Sequence, residues 1–137
     1  MVLDTNVLSA LMQEVPDQNV VAWLDRQPRT SIWTTSITVL EVRFGLQTMP
    51  GGGRRSALIQ SFKELLNQID HRVVPFDVAA AEQASDLMAF CHQKGRPVAL
   101  RDAMIAGIVM AQHATLATRN TAQFEDISVP LIDPWRS

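Results

Sequence analysis

From Met104 to Ala111 the chain reads Met-Ile-Ala-Gly-Ile-Val-Met-Ala, with no polar side chain. A membrane span takes about 20 apolar residues, so this run is too short to be one. As a helix it is apolar all round and has to be buried against protein on every side. The rest of the chain must therefore supply layers around it. Val2-Leu3, Ser31 to Thr35, Arg72 to Pro75, Thr115 to Thr118 and Val129 to Ile132 read as short strands, and the longer stretches between them carry helical periodicity and caps. Strands alternating with helices imply a parallel sheet covered on both faces, an α/β architecture. Pro130 confines the last strand to an edge.

Length and composition fit that plan. At 137 residues and 47% hydrophobic, the chain is expected to form one domain, 1–137, with a core that needs no staples. Cys91 is the only cysteine and shares a helical stripe with Ala80, Ala84 and Leu87, which predicts a packed thiol and fits a reducing cytoplasm. The N-terminus lacks the basic and apolar regions of a signal peptide, and no membrane association is expected. The net charge of −2 does not advertise a nucleic-acid binder. With Asp4, Glu41 and Asp102 set aside, however, eleven acids face twelve bases, ten of them arginine. The overall sign therefore decides nothing.

Local signals place the helices. After the first helix, Pro16-Asp17 marks a turn before a second that stops ahead of Pro28. Ser36 is expected to cap a third helix running to about Thr48. On it Ile37, Glu41 and Phe44 share one stripe while Val39, Val42 and Leu46 cover the opposite side. Glu41 thus lies on a helix apolar on two sides, where a lone charge is costly, so it needs a cation, either arginine or metal. A glycine-tipped turn, Met49 to Gly53, leads to an amphipathic fourth helix from near Arg54, with Leu58, Phe62, Leu65 and Ile69 facing inward. Asp77 caps a fifth helix ending at Gly95, and Asp102 opens the apolar sixth, where the helix dipole favours a carboxylate.

Ligands in open α/β sheets bind where strands end. Asp4 follows the first strand, Ser36 and Glu41 the second and Asn120 the fourth, while Asp102 starts the helix leading to that fourth strand. Asp4 or Thr5 is also a natural cap for the first helix. Three carboxylates and an amide sharing one crevice would repel unless a divalent cation held them, and oxygen-only ligands suit Mg²⁺ or Mn²⁺ better than zinc. His71, His92 and His113 have no partner at ligand spacing.

Asp4-Thr5-Asn6, Glu41 within Glu41-Val42-Arg43-Phe44-Gly45-Leu46, Arg96-Pro97 before Asp102-Ala103-Met104-Ile105-Ala106, and Leu116 to Asn120 with Phe124 together resemble the PIN-domain family. With the closing Asp133-Pro134-Trp135, the chain is more narrowly similar to bacterial toxins of the VapC and FitB type. The resemblance implies a PIN-like three-layer α/β/α sandwich with a mostly parallel central sheet. It also implies endonucleolytic, Mg²⁺- or Mn²⁺-dependent cleavage of RNA. Asp4, Glu41 and Asp102 carry over as catalytic metal ligands. The fourth family position, often aspartate, is Asn120 here, which supplies no charge and puts a second metal in doubt. Thr5, Asn6, Thr118 and Arg119 would support the acids or position substrate, and Arg43, Arg101 or Arg119 would contact the RNA backbone.

The implied partner is a cognate antitoxin, a small protein whose DNA-binding N-terminal part reaches operator DNA while its C-terminal tail wraps the toxin. A groove near Leu46, Met49, Leu58 and Phe62 would take that tail, and the acidic crevice would accept an arginine from it. A homodimer joined into a higher assembly with antitoxin is also expected. Two alternatives stay open, a housekeeping PIN-type nuclease without an antitoxin and a non-catalytic binding module. A phosphoaspartyl enzyme does not fit, because Asn6 stands where a second aspartate is needed, and Lys63 and Lys94 both lie within helices.

Overall fold

The computed structural model describes residues 1–137. Five two-residue strands, β1 (Val2–Leu3), β2 (Thr34–Thr35), β3 (Val73–Val74), β4 (Leu116–Ala117) and β5 (Leu131–Ile132), form the centre. Between β1 and β2 lie α1 (Thr5–Met12) and α2 (Gln18–Asp25). Between β2 and β3 lie α3 (Ser36–Thr48) and α4 (Gly53–Gln68), and between β3 and β4 lie α5 (Val78–Gln93) and α6 (Leu100–Ala111). Every strand pairing is parallel: β1 with β4, β4 with β5, and β2 with β3. A parallel bridge from Val2 to Trp33 joins the two groups, giving the spatial order β3-β2-β1-β4-β5. The chain winds outward from β1 to β3, then returns to place β4 on the other side of β1. That reversal opens a crevice beyond the carboxyl ends of β1 and β4, because the connections diverge there.

Alternation along the strands divides the core. Leu3 and Ala117 face one side and pack with Val7, Leu8, Val20, Trp23, Val42, Leu46 and Phe62 from the first four helices. Val2 and Leu116 face the other and pack with Leu87, Cys91, Ile105, Ala106, Val109 and Phe124. The three layers are thus helices, sheet and helices, as expected, and Cys91 is a buried, unbridged thiol. The apolar α6 is enclosed along residues 103 and 105–109. It packs on the alanine-rich face of α5 so closely that a Cβ at Gly107 would lie 2.5 Å from the Ala80 carbonyl oxygen and 2.9 Å from the Ala84 Cβ. A residue larger than glycine there would force the two helices apart.

Three local expectations need correction. Thr35, not Ser36, caps α3: its side chain accepts the Thr38 amide, while the Ser36 hydroxyl accepts the Phe76 amide across the sheet edge. The strand at Ser31 to Thr35 shrinks to its last two residues because Arg29–Ser31 tighten into a 3-10 turn. Phe44 is exposed together with Leu40, so α3 buries only its Val42 and Leu46 side. Asp77 caps α5 as expected, and Asp17, read from sequence only as part of a turn, caps α2. No helix is long and apolar enough to cross a membrane.

Candidate active site

The sheet order brings β1 and β4 side by side, and the residue after each, Asp4 and Thr118, lies buried beneath the crevice without lining it. Asp4 is fully buried and does two jobs there. Its Oδ1 accepts the Thr5 amide at 2.8 Å, capping α1, and its Oδ2 accepts the Thr118 hydroxyl at 2.8 Å. A helix N-terminus next to a carboxylate is favourable both as a cap and through the dipole. The cap and the site are therefore one arrangement. Thr118 is also fully buried, and its oxygen accepts both the Asn6 side-chain amide and the Asn120 backbone amide at 3.1 Å each. A hydroxyl has one hydrogen and two lone pairs. All three are used, so Thr118 positions Asp4 and cannot reach a substrate.

Glu41 and Asp102 come from the two helices that border the same crevice. Glu41, on the second turn of α3, accepts the Thr5 hydroxyl at 2.6 Å. Asp102 sits in the first turn of α6. Between the three carboxylates lies Arg101. Its Nη2 donates to Asp4 Oδ1 at 2.7 Å and lies 2.9 Å from Glu41 Oε1. Its Nε donates to both Glu41 oxygens at 3.0 Å, and its Nη1 donates to Asp102 Oδ1 at 2.9 Å. The sequence demanded a cation for Glu41, and the cation is this arginine. Burial pushes the Glu41 carboxyl up, but the hydrogen bonds from Arg101 and Thr5 and the arginine's charge outweigh it, leaving Glu41 below the usual carboxylate range. Burial likewise opposes the Arg101 charge, and the carboxylates reverse the balance, fixing the guanidinium in its protonated form.

With Arg101 in place, no three acids converge closely enough to hold an ion among themselves. The donor set nevertheless fits a hard divalent cation. Three carboxylates against one guanidinium leave two negative charges uncompensated, and every donor is oxygen.

Thr5, Asn6, Glu41, Arg101, Asp102, Arg119 and Asn120 all line one open crevice of about 700 Å³. The Asn6 side-chain oxygen accepts the Arg119 amide at 3.1 Å, fixing the turn after β4. Arg119 is exposed, makes no ion pair with an acid, and stacks over the Trp135 ring at 4.9 Å. Trp135, Ser9, Ala10, Gln13 and Gln123 complete the lining and were not singled out as site residues from sequence. Trp135 belongs to a motif that sequence reading noticed without giving it a role. Arg43 is not in the crevice at all. It lines a separate groove of about 510 Å³ between α3 and α4, with Leu46, Arg55, Ile59, Phe62 and Lys63. The expected groove therefore exists, but Met49 and Leu58 do not line it.

The PIN domain family matches residues 1–129. The VapC ribonuclease Y4jK of Sinorhizobium fredii is 40% identical over 135 residues, covering 98% of this chain and 96% of that one. Toxin FitB of Neisseria gonorrhoeae is 31% identical over 134 residues, covering 97% and 96%. A solved structure of FitAB bound to an IR36 DNA fragment superposes with a TM-score of 0.89 at 30% identity, covering 98% of this chain and 94% of that one.

Proposed function

The chain belongs to the PIN domain family, and from that premise we propose that it is the endoribonuclease toxin of a bacterial toxin–antitoxin pair, cutting RNA with the help of Mg²⁺ or Mn²⁺. The observation that carries this reading is that Asp4, Glu41 and Asp102, from three separate elements, all reach one guanidinium, that of Arg101, within 2.9 Å at the sheet's reversal. Like charges held this close are costly, and the single charge of Arg101 offsets only one of the three, which favours a divalent cation at the same acids.

A divalent ion held there would polarise the scissile phosphate and make water acidic enough to attack it in line. The protein's part is to hold the donors. Thr118 and the α1 amide fix Asp4, the α6 N-terminus favours Asp102, and Thr5 orients Glu41. With carboxylates at three positions and Asn120 at the fourth, one metal ion is the natural load. Asn120 and Asn6 offer neutral hydrogen bonds at the crevice, and Arg119 offers an exposed cation to the RNA backbone. No side chain has to act as nucleophile.

The partner is an antitoxin, through which operator DNA is reached. An amphipathic acidic segment of that partner suits the groove between α3 and α4, where an apolar floor of Leu46, Ile59 and Phe62 is rimmed by Arg43, Arg55 and Lys63. Expression of this chain alone is expected to arrest bacterial growth, and co-expression with the small reading frame beside its gene to relieve the arrest. Mapping RNA 5′ ends soon after induction identifies the substrate. Unimpaired growth on strong expression of folded protein, with no new RNA ends, would contradict the toxin reading.

A further inference from the structure

Resting on the reading of this crevice as a metal-dependent nuclease centre, we propose that Arg101 is a built-in cation. It holds the three carboxylates together in the metal-free protein and has to be displaced before a divalent ion can bind them. The geometry is specific. One guanidinium reaches Asp4 Oδ1, both Glu41 oxygens and Asp102 Oδ1, all at 2.7 to 3.0 Å. The remaining Asp4 oxygen is occupied by the Thr118 hydroxyl. Five of the six carboxylate oxygens are therefore already engaged, and only Asp102 Oδ2 is left without a hydrogen bond. Mg²⁺ requires oxygens at roughly 2.0 to 2.1 Å in near-octahedral array, which leaves no space for a guanidinium among the same atoms.

Two consequences follow from the exchange of one cation for another. In metal-free protein all three acids keep a hydrogen-bonded partner in Arg101, which offsets one of their three charges, so the chain does not need the ion to fold. Metal affinity is reduced by the fraction of molecules in which Arg101 occupies the centre, and removing the arginine restores the intrinsic affinity. Any inhibitory arginine from a partner would likewise meet an occupied site and have to compete with Arg101.

Isothermal calorimetry with Mn²⁺ on the full-length wild-type chain, Arg101→Gln and Arg101→Lys tests this. Arg101→Gln is expected to bind Mn²⁺ about ten- to a hundredfold more tightly than wild type, as expected when a competing closed state is removed. Arg101→Lys, whose single ammonium cannot span three carboxylates, is expected to fall between. Without metal, Arg101→Gln should unfold at lower temperature than wild type, and saturating Mn²⁺ should raise its midpoint by more than it raises the wild-type midpoint. Equal or weaker Mn²⁺ binding by Arg101→Gln, with clear binding by wild type, overturns the displacement while leaving the nuclease reading intact. Absence of binding by all three proteins overturns both. Should Arg101→Gln not fold, the Nε–H resonance of Arg101 in ¹⁵N-labelled wild type decides. It is expected to shift on addition of Mg²⁺, and a resonance unmoved at saturating Mg²⁺ overturns the proposal.

Discussion

Asp4→Asn is expected to lower the rate of RNA cleavage by at least about a hundredfold, since a metal's transition-state stabilisation amounts to several kcal/mol and each 1.36 kcal/mol is tenfold. The variant should fold. Asparagine retains one oxygen for the Thr5 amide and for Arg101, so the α1 cap survives. Its amide, however, points at the Thr118 hydroxyl, whose lone pairs already accept Asn6 and Asn120. The Thr118 hydrogen loses its acceptor, and a buried polar group left unsatisfied costs roughly 1 to 3 kcal/mol. Single-turnover cleavage assays and thermal unfolding together separate these effects. An Asp4→Asn protein with near wild-type cleavage would remove Asp4 from the catalytic centre.

Phe124→Ala is expected to have the largest effect on stability among site-proximal changes. Phe124 is fully buried in the core formed by α5 and α6, and it ends the 3-10 turn Thr121–Phe124 that carries the loop after Asn120. Truncating a buried phenylalanine costs about 3 to 5 kcal/mol through lost transfer energy and the cavity left behind. For a chain of this size that lowers the unfolding midpoint by roughly 10 to 20 °C. Because Asp4, Glu41 and Asp102 all come from other elements, Mn²⁺ affinity at a temperature where the variant is folded should stay close to wild type. Differential scanning calorimetry and Mn²⁺ titration check the two halves separately. A large loss of metal affinity in the folded variant would show that the loop after β4 holds the acids more directly than its contacts imply.

Much of this was legible in the sequence because the signals are local. Asp77 announces α5, the apolar run at 104–111 can only be a buried helix, and the polar residues after the first, second and fourth strands mark one edge of a parallel sheet. Glu41's need for a cation was legible for the same reason, since a carboxylate on an apolar helix has few alternatives. What was not legible depends on tertiary placement. Arg101 precedes Asp102 in the chain, and nothing in that adjacency shows that its guanidinium turns back to meet Asp4 and Glu41, 97 and 60 residues away. Arg43 lies two residues from Glu41, yet that step of about 200° carries it around α3 into a different groove. Whether Thr118 supports the acids or contacts substrate is not decided by its place in the chain; its full burial against Asp4 favours support. Phe44 shares its stripe with Glu41, but helix periodicity alone cannot tell a core face from an exposed one.

The most direct test of the central claim is cleavage of a defined structured RNA by the purified chain, free of any partner, at increasing Mg²⁺ or Mn²⁺ and then in excess EDTA. The account predicts discrete cuts that rise with metal, vanish with EDTA, return when metal is restored and are absent in Asp4→Asn. Cleavage undiminished by EDTA, or equal in Asp4→Asn, would contradict it.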